Sequence, residues 1–424
     1  MASMPSSARH DDDLSSQAGW AGCCALRYGT GLAPATVGQG RTWIEVDLAA
    51  LAANIGVIRR AIGDRSLMAV VKANAYGLGM APVACAALAA GADALGVATS
   101  EEALALRAAG IVAPILIMGH AHPDHAEALV AADVTVALYT PETARALAAA
   151  AARLGTCAKG HLKIDTGLCR VGVAPAEATE FAVMLQGLSS LDVEGAFTHF
   201  SCADDGDRER TAYEHQMFLA ALDELAAAGH PVRVRHAAAT AAFLDSPDTW
   251  LDMVRIGIGI HGYYPYAGCS RSVPLTPVMS MKTRISRLRR VPAGTGVGYG
   301  LSYKTKRATT IATLPVGYGD GLDKRLGNKG HVLVRGRRVP RAGGIAMDLS
   351  MIDVGDAGGF ETGDEVVIVG RQGDECITLE EVAATAGTSI EHILAQLSGR
   401  PSRVYTGAVG GPDQTVMSCH PPRL

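Results

Sequence analysis

The sequence predicts an α/β chain: an N-terminal (β/α)8 TIM barrel followed by a mostly β C-terminal domain. Two observations carry this. From Arg41 to about residue 273, short apolar β-rich runs alternate with Ala/Leu segments of helical period, the pattern of parallel strands joined by crossover helices. Beyond Pro274 the runs become short strands broken by Gly-rich turns.

In chain order, a first helix begins near Asp47, a residue type suited to an N-cap. Leu48, Leu51, Ile55, Ile58 and Ile62 lie at three- and four-residue spacing on one face, and Gly63 ends it. Eight strands follow: Leu67–Lys72, Ala92–Val97, Ile115–Met118, Val134–Leu138, His161–Asp165, Val193–His199, Val232–His236 and Met253–Arg255. Helical stretches separate them, among them Glu101–Ala109, Pro141–Leu154 and Glu209–Ala228. Eight such units in roughly 230 residues match a barrel in count and length. A doubly wound open sheet is the alternative, but it calls for a Gly-x-Gly-x-x-Gly turn after the first strand, and none is present.

In the second part, Met279–Arg289, Thr309–Leu314, His331–Val334, Ser350–Val354 and Glu365–Val369 read as strands. Leu379–Ala386 reads as one late helix, opened by the capping-box pair Thr378 and Glu381. Trp43–Val46 is strand-like and is expected to pair with this second domain. The domains are thus 41–273 and 274–424, after an extension over 1–40. That extension holds Asp11, Asp12 and Asp13 and a short apolar patch around Trp20, without the basic start and apolar core of a secretory signal. It reads as poorly ordered.

Composition narrows the function. Lys and Arg number 38 against 42 Asp and Glu, so no basic excess points to nucleic acid or an anionic membrane. The mean hydropathy of +0.17 is high, but it comes from Ala-rich helices such as Ala144–Ala152. No run reaches the roughly 18 apolar residues that a membrane span requires. The nine cysteines are odd in number and lack Cys-x-x-Cys spacing, which fits a reduced, cytoplasmic compartment and gives no metal motif. Small-molecule chemistry is the class that remains.

Barrel enzymes react at the C-terminal ends of their strands, which directs attention to Lys72 at the end of the first. Burial disfavours a lysine's charged form and suits it to Schiff-base chemistry. A lysine that merely emerges at a strand end is the plainer alternative.

The stretch Val71-Lys72-Ala73-Asn74-Ala75-Tyr76-Gly77-Leu78-Gly79 resembles the pyridoxal-phosphate signature of the alanine racemase family. Further blocks extend the resemblance from Trp43 to Tyr405, in the family's order: His161 to Arg170, Phe197 to Phe200, Met253 to Gly259, Val297 to Gly300, Gly317 to Gly321, and Met347-Asp348. It implies a fold-type III enzyme that uses pyridoxal 5′-phosphate to racemise an amino acid, supplying D-alanine as a peptidoglycan precursor. Lys72 would carry the cofactor and act as one base, and Tyr299 from the partner subunit of a homodimer would be the other. Racemisation takes a proton from one face of Cα and returns it to the other, so one group per face is the simplest arrangement.

An unperturbed phenol ionises near pH 10, so the tyrosine needs help. By the resemblance His199 supplies it, and Arg255 faces the pyridine nitrogen; a core histidine and an ordinary salt-bridge arginine are the plainer readings. Tyr76, Thr240, Gly257 and Ile258 would hold the cofactor phosphate, and Arg170 the substrate carboxylate and the cofactor's phenolic oxygen. Lys163 aligns with a lysine that many members carry as a carbamate, the alternative being an exposed strand lysine. Met347 and Asp348 would reach the substrate from the partner subunit.

Four positions depart from the family's usual residues: Ala239 where Asn is common, His261 for Tyr, Gly344 for Arg, and Gly399 for a gate tyrosine. Smaller groups at an entrance remove a steric filter. This raises the expectation of a substrate side chain larger than methyl, such as that of serine, against compensated drift. Two rivals stand outside racemisation. One is a related cofactor-barrel decarboxylase or aldolase, which Tyr299 argues against. The other is a non-catalytic cofactor binder, which the joint presence of Lys72, Tyr299, His199 and Arg255 argues against.

Overall fold

The computed structural model describes residues 40–356 and 359–407. Apart from Gly40, the expected extension over 1–40 lies outside the described residues. The chain opens with β1 (Thr42–Asp47) and α1 (Leu48–Ile62). Asp47 caps α1 by accepting the Ala50 amide at 2.9 Å, and Gly63 closes it at φ 63°. Leu51, Ile55, Ile58 and Ile62 are buried, as their spacing predicts, each such side chain contributing about 1.5–3 kcal/mol.

The barrel follows: β2 (Ser66–Val70), a single turn α2 (Lys72–Tyr76), α3 (Met80–Ala89), β3 (Ala94–Val97), α4 (Ser100–Ala108), β4 (Ile115–Ile117), α5 (Ala126–Ala131), β5 (Thr135–Leu138), α6 (Pro141–Leu154), β6 (Ala158–Lys163), α7 (Ala178–Gln186), β7 (Leu191–Phe197), α8 (Arg208–Ala227), β8 (Val234–His236), α9 (Thr240–Asp245) and β9 (Met253–Ile256). The eight parallel strands run in the order β8-β7-β6-β5-β4-β3-β2-β9. At the β8/β9 seam, Asp252 N donates to Arg235 O and Arg255 N to Ala238 O, both at 3.0 Å. Arg235 reinforces the seam by donating Nε and Nη2 to the Asp252 carboxylate at 2.8 and 2.9 Å.

Period-two alternation sorts each strand's side chains. Leu67, Ala69, Leu95, Ile115 and Ile117 join the main core shared with the helices, whereas Met68, Ala94, Leu116 and Met253 form a separate buried cluster within the barrel. Elsewhere the interior is polar, with His161, Lys163, His236 and Arg255 all buried. Two glycines on these strands admit larger neighbours, Gly160 the core residue Leu138 and Gly195 the interior residue His161. A Cβ on Gly160 would fall 2.3 Å from Leu138 Cδ1, and one on Gly195 would fall 2.9 Å from the His161 ring.

The second domain contains β10 (Met279–Arg284), β11 (Arg287–Val291), β12 (Gly296–Val297), β13 (Tyr303–Lys304), β14 (Thr309–Leu314), β15 (His331–Val334), β16 (Arg337–Pro340), β17 (Ser350–Gly355), β18 (Glu365–Gln372), β19 (Glu375–Ile377), α10 (Leu379–Ala386), α11 (Ile390–Ala395) and β20 (Ser402–Thr406). β1 is built into its main sheet, antiparallel to β10 and parallel to β20.

Two expectations are corrected here. Met279–Arg289 is two strands, because the chain leaves one sheet for another at Ile285–Ser286: Ile285 N donates to Asp364 O, and Ser286 N to Thr313 O. There are also two late helices. Ser389 caps α11 by accepting the His392 amide at 3.2 Å.

β20 ties the second domain to the barrel mouth. Buried Arg403 donates to Gly77 O from Nε and Nη2 at 3.0 and 2.7 Å, and Tyr405 donates its hydroxyl to Leu78 O at 3.0 Å. Among the described residues, no helix is long and apolar enough to cross a membrane.

Candidate active site

Lys72 does not end the first strand as expected; β2 stops at Val70, and Lys72 opens α2. This turn is left-handed, with φ of 53°, 55°, 52° and 54° at Ala73, Asn74, Ala75 and Tyr76. Left-handed helix costs an L-residue roughly 1–2 kcal/mol, least for Asn, and none of the four is glycine. Neighbours therefore hold it. Ala75 N donates to Val71 O and Gly77 N to Ala73 O; Asn74 Oδ1 accepts from Met80 N at 2.9 Å, and Glu102 Oε1 from Ala73 N at 2.6 Å. Burial, then the charge of Arg170, lowers the basicity of Lys72, with Arg255 adding to them and Glu102 and Asp204 opposing. The amine is thereby shifted toward its nucleophilic, uncharged form.

Arg255, on β9, is buried and has no carboxylate partner among the described residues, unlike an ordinary salt-bridge arginine. Nη1 donates to His236 Nδ1 at 3.1 Å; Nη2 shares its hydrogens among Thr198 O, Ala237 O and His199 Nδ1 at 2.8, 3.0 and 3.3 Å. None of these bonds uses Nε. Burial, then Arg170, pulls the guanidinium down to about 9, which leaves it charged at neutral pH.

Because arginine only donates, these contacts fix both histidine tautomers. His199 accepts at Nδ1 and therefore carries its proton on Nε2. His236 does likewise and donates from Nε2 to His161 Nδ1 at 2.8 Å. His199 lies two residues beyond the end of β7, not within the strand as expected. Burial, then Arg255, holds it well below the usual histidine range, so it is neutral.

Lys163 is 3% exposed, which overturns the reading as an exposed lysine. Its Nζ lies 4.7 Å from the Phe197 ring centroid, and burial followed by Arg255 holds its basicity well below normal. Arg170 sits on a loop organised by Asp165, whose carboxylate accepts the amides of Gly167, Cys169 and Arg170 at 2.9, 3.1 and 3.1 Å. On the opposite side, Thr240 Oγ1 accepts the Gly257 and Gly259 amides at 3.2 and 3.4 Å. A Cβ on Gly257 would fall 2.2 Å from the Tyr76 hydroxyl, so these groups crowd around one point; Ile258 follows in the same loop. Burial holds the Tyr76 phenol protonated.

The chain therefore gathers Lys72, Arg170, His199 and Arg255 by their charges and contacts, and Tyr76, Thr240 and Gly257 by theirs. Tyr299, Met347 and Asp348 stand apart. Tyr299 and Met347 are 83% and 53% exposed on the second domain, and Asp348 pairs with Arg400 at 2.7 Å. Of the departures, His261 is fully buried with its ring 5.2 Å from that of Tyr76, and both its nitrogens lack hydrogen-bond partners among the described residues. A Cβ on Gly344 would meet nothing closer than Tyr299 O at 4.0 Å. Gly399 is exposed, and Ala239 is half-buried.

Sequence reasoning missed Glu102 and Arg403. Glu102 carried a legible signal, since Thr99 stands three residues before it in a capping box. Arg403 carried none, because the carbonyl through which it holds the lysine-bearing turn, Gly77 O, is 326 residues away in sequence.

The buried histidines make a pH prediction. Burial lowers His161 to about 4 and His261 to about 3, and holds His236 well below the ordinary 6.5. Folded values lie below unfolded ones, so the unfolded chain binds more protons under pH 6.5. Stability from this source is full above that pH and is lost as pH falls toward 4. His199 adds to these three, and each histidine so held should remove about 1 kcal/mol between pH 6 and pH 5. Urea unfolding at fixed protein concentration checks this, and His261→Phe should flatten the slope by one histidine's share, about 1 kcal/mol per pH unit. An unchanged slope would mean that His261 titrates normally in the fold.

A lysine of lowered basicity at the C-terminal mouth of a parallel barrel, backed by a buried arginine–histidine cluster, defines a barrel enzyme with lysine-based chemistry. Residues 46–265 match the alanine racemase N-terminal domain family and residues 278–405 the C-terminal domain family; the chain belongs to the alanine racemase family. It is 45% identical over 370 residues to an alanine racemase of Symbiobacterium thermophilum, covering 87% of this chain and 98% of the relative. It is 43% identical to one of Desulfosudis oleivorans, covering 86% and 96%.

Among solved structures, alanine racemase from Bacillus anthracis with bound L-Ala-P aligns at TM-score 0.84 and 34% identity, covering 92% and 99% of the two chains. A histidine racemase from Leuconostoc mesenteroides aligns at 0.80 and 28%, covering 86% and 98%.

Proposed function

We propose that this protein interconverts L- and D-alanine with pyridoxal 5′-phosphate, as a homodimer whose sites each take residues from both subunits. The observation that carries the reading is Lys72, deprived of basicity by burial and Arg170 and presented on a clamped turn at the barrel mouth. The alanine racemase names of relatives 40–45% identical support alanine over serine or a broader substrate range.

The residues present fit the cofactor. An amine of lowered basicity suits its aldehyde. The Thr240 hydroxyl, the Tyr76 phenol and the amides of the Gly257-Ile258 loop crowd together where a phosphate can be held, and Arg255 Nε is spared by its other contacts to meet a ring nitrogen. When bound, the cofactor acidifies the Cα–H bond of the amino acid.

Lys72 then takes or returns the proton on one face of Cα, and Tyr299 of the partner subunit does so on the other. His199, its proton on Nε2, donates to that phenolic oxygen and eases its ionisation. Arg255 stays charged and gives up no proton to the ring, which limits how far the ring draws electrons. Arg170 holds the substrate carboxylate, and Met347 and Asp348 of the partner subunit border it. Lys163, its basicity lowered by burial, is suited to carry a carbamate, whose negative charge would orient Arg170.

A dimer is supported by the surface around Tyr299. Leu301 and Met347 are 59% and 53% exposed, and Tyr318 and Leu349 over 40%, large apolar side chains that a partner subunit would cover. Residence in the cytoplasm, where D-alanine feeds peptidoglycan synthesis, completes the proposal.

The test is incubation of the cofactor-loaded protein with L-alanine, L-serine and L-histidine in deuterium oxide. D-alanine carrying Cα deuterium, formed faster than the D form of the other two, is the expected result. Cα deuteration without inversion, or a preference for serine or histidine, would overturn the reading.

A further inference from the structure

We infer that Glu102 is a positioning residue for Lys72, its carboxylate holding the lysine-bearing turn against the end of β3. This rests on Lys72 being the cofactor-bearing lysine. Glu102 Oε1 accepts the Ala73 amide at 2.6 Å, while Oε2 accepts those of Ala98 and Thr99 at 2.8 and 3.3 Å. One carboxylate thus joins the first amide after Lys72 to two amides just beyond β3.

The turn needs such a tie because of its shape. Four consecutive residues without glycine hold φ between 52° and 55°. The bonds Ala75 N to Val71 O and Gly77 N to Ala73 O form within the turn, and Arg403 fixes its far end through Gly77 O. The Ala73 amide, at the lysine end, is met instead by Glu102 from α4, a residue 29 positions away. With the far end fixed, release of the near end lets Ala73 relax toward right-handed geometry, and Lys72 moves with it.

The chemistry of the contact is specific. Three N–H groups converge on two oxygens, and a carboxylate accepts on both. A glutamine accepts on only one; its NH2 would face either the Ala73 amide or the Ala98 and Thr99 amides, donor against donor. Glu102 also begins α4, where its own amide donates to Thr99 Oγ1 at 3.3 Å. A purely structural role in that cap is the alternative to be separated.

The experiment uses the full chain as Glu102→Gln, Thr99→Ala, Ala73→Gly and the Glu102→Gln/Ala73→Gly double variant. Glycine takes left-handed φ freely, so Ala73→Gly removes strain that the clamp otherwise opposes. Amide exchange at residue 73 is read in the cofactor-free protein, and apparent affinity for added pyridoxal 5′-phosphate by absorbance. Glu102→Gln should speed exchange at residue 73 and weaken cofactor affinity, each about tenfold, the scale of one lost charge-assisted bond. Thr99→Ala should change neither, and the double variant should recover affinity to within about threefold of the unsubstituted chain.

The proposal fails if Glu102→Gln leaves exchange and affinity unchanged, if it merely matches Thr99→Ala, or if glycine gives no rescue. Lys72→Ala separates the two readings. Were it to keep the cofactor's bound absorbance, the assignment of Lys72 would fall while the exchange result still judged the clamp.

Discussion

Lys72→Ala is expected to fold and to lose racemisation by roughly 10⁴- to 10⁶-fold in kcat, the scale on which removal of a residue that is both covalent anchor and base is felt. Folding should survive because the substitution leaves no buried partner stranded. The amine's chief interaction with its surroundings is an unfavourable one, its desolvation, so truncation relieves a penalty. The turn beneath it is held through the Ala73 amide, the Asn74 side chain and the Gly77 carbonyl, none of which the change touches. A urea midpoint within about 1 kcal/mol of the unsubstituted chain, together with loss of both bound-cofactor absorbance and D-alanine formation, is the combined result. Loss of activity accompanied by unfolding would instead make Lys72 a structural residue. Retained turnover would remove it from the mechanism.

The barrel was legible because its strands are short apolar runs set between helices of clear period, and local pattern is enough to find both. What the pattern could not supply is where those strands stop. Lys72 continues an apolar run and reads as its last residue, yet the chain turns left-handed there. No glycine among residues 73 to 76 announces this, and two of the groups that stabilise it, Glu102 and Arg403, are distant in sequence.

Lys163 shows the opposite case. His161 and Lys163 are two apart on β6 with Leu162 between them, so alternation places both on the inner face, and burial of the lysine was readable from that register. The surroundings of Arg255 were not readable from local pattern. Its partners lie on β8 and beyond β7, and two of them are neutral histidines where an arginine ordinarily finds a carboxylate. Met279–Arg289 was read as continuous because an apolar–polar alternation does not mark the corner at which a strand changes sheets.

Tyr299→Phe is the sharper test, because it removes one oxygen and leaves the ring. The side chain is 83% exposed on the single chain and belongs to the apolar face proposed to pair, so phenylalanine preserves the contact that a dimer would bury. Cofactor binding should be unchanged, since Lys72, Tyr76, Thr240 and Arg255 lie in the barrel of the same chain. Racemisation should fall by roughly 10²- to 10⁴-fold, the usual contribution of one positioned acid or base. The two faces of Cα then become inequivalent. With Lys72 intact, the enantiomer whose Cα–H faces it should still exchange that proton for deuterium and return to itself without inversion, while the other enantiomer should exchange slowly. Mass spectrometry of each recovered alanine enantiomer from deuterium oxide reads this asymmetry directly. His199→Gln should move the same way by a smaller factor, because it weakens the donor to the phenolic oxygen without removing the oxygen itself. Equal loss of exchange from both enantiomers in Tyr299→Phe would mean that the tyrosine serves binding and not one face, and undiminished racemisation would exclude it as the second base.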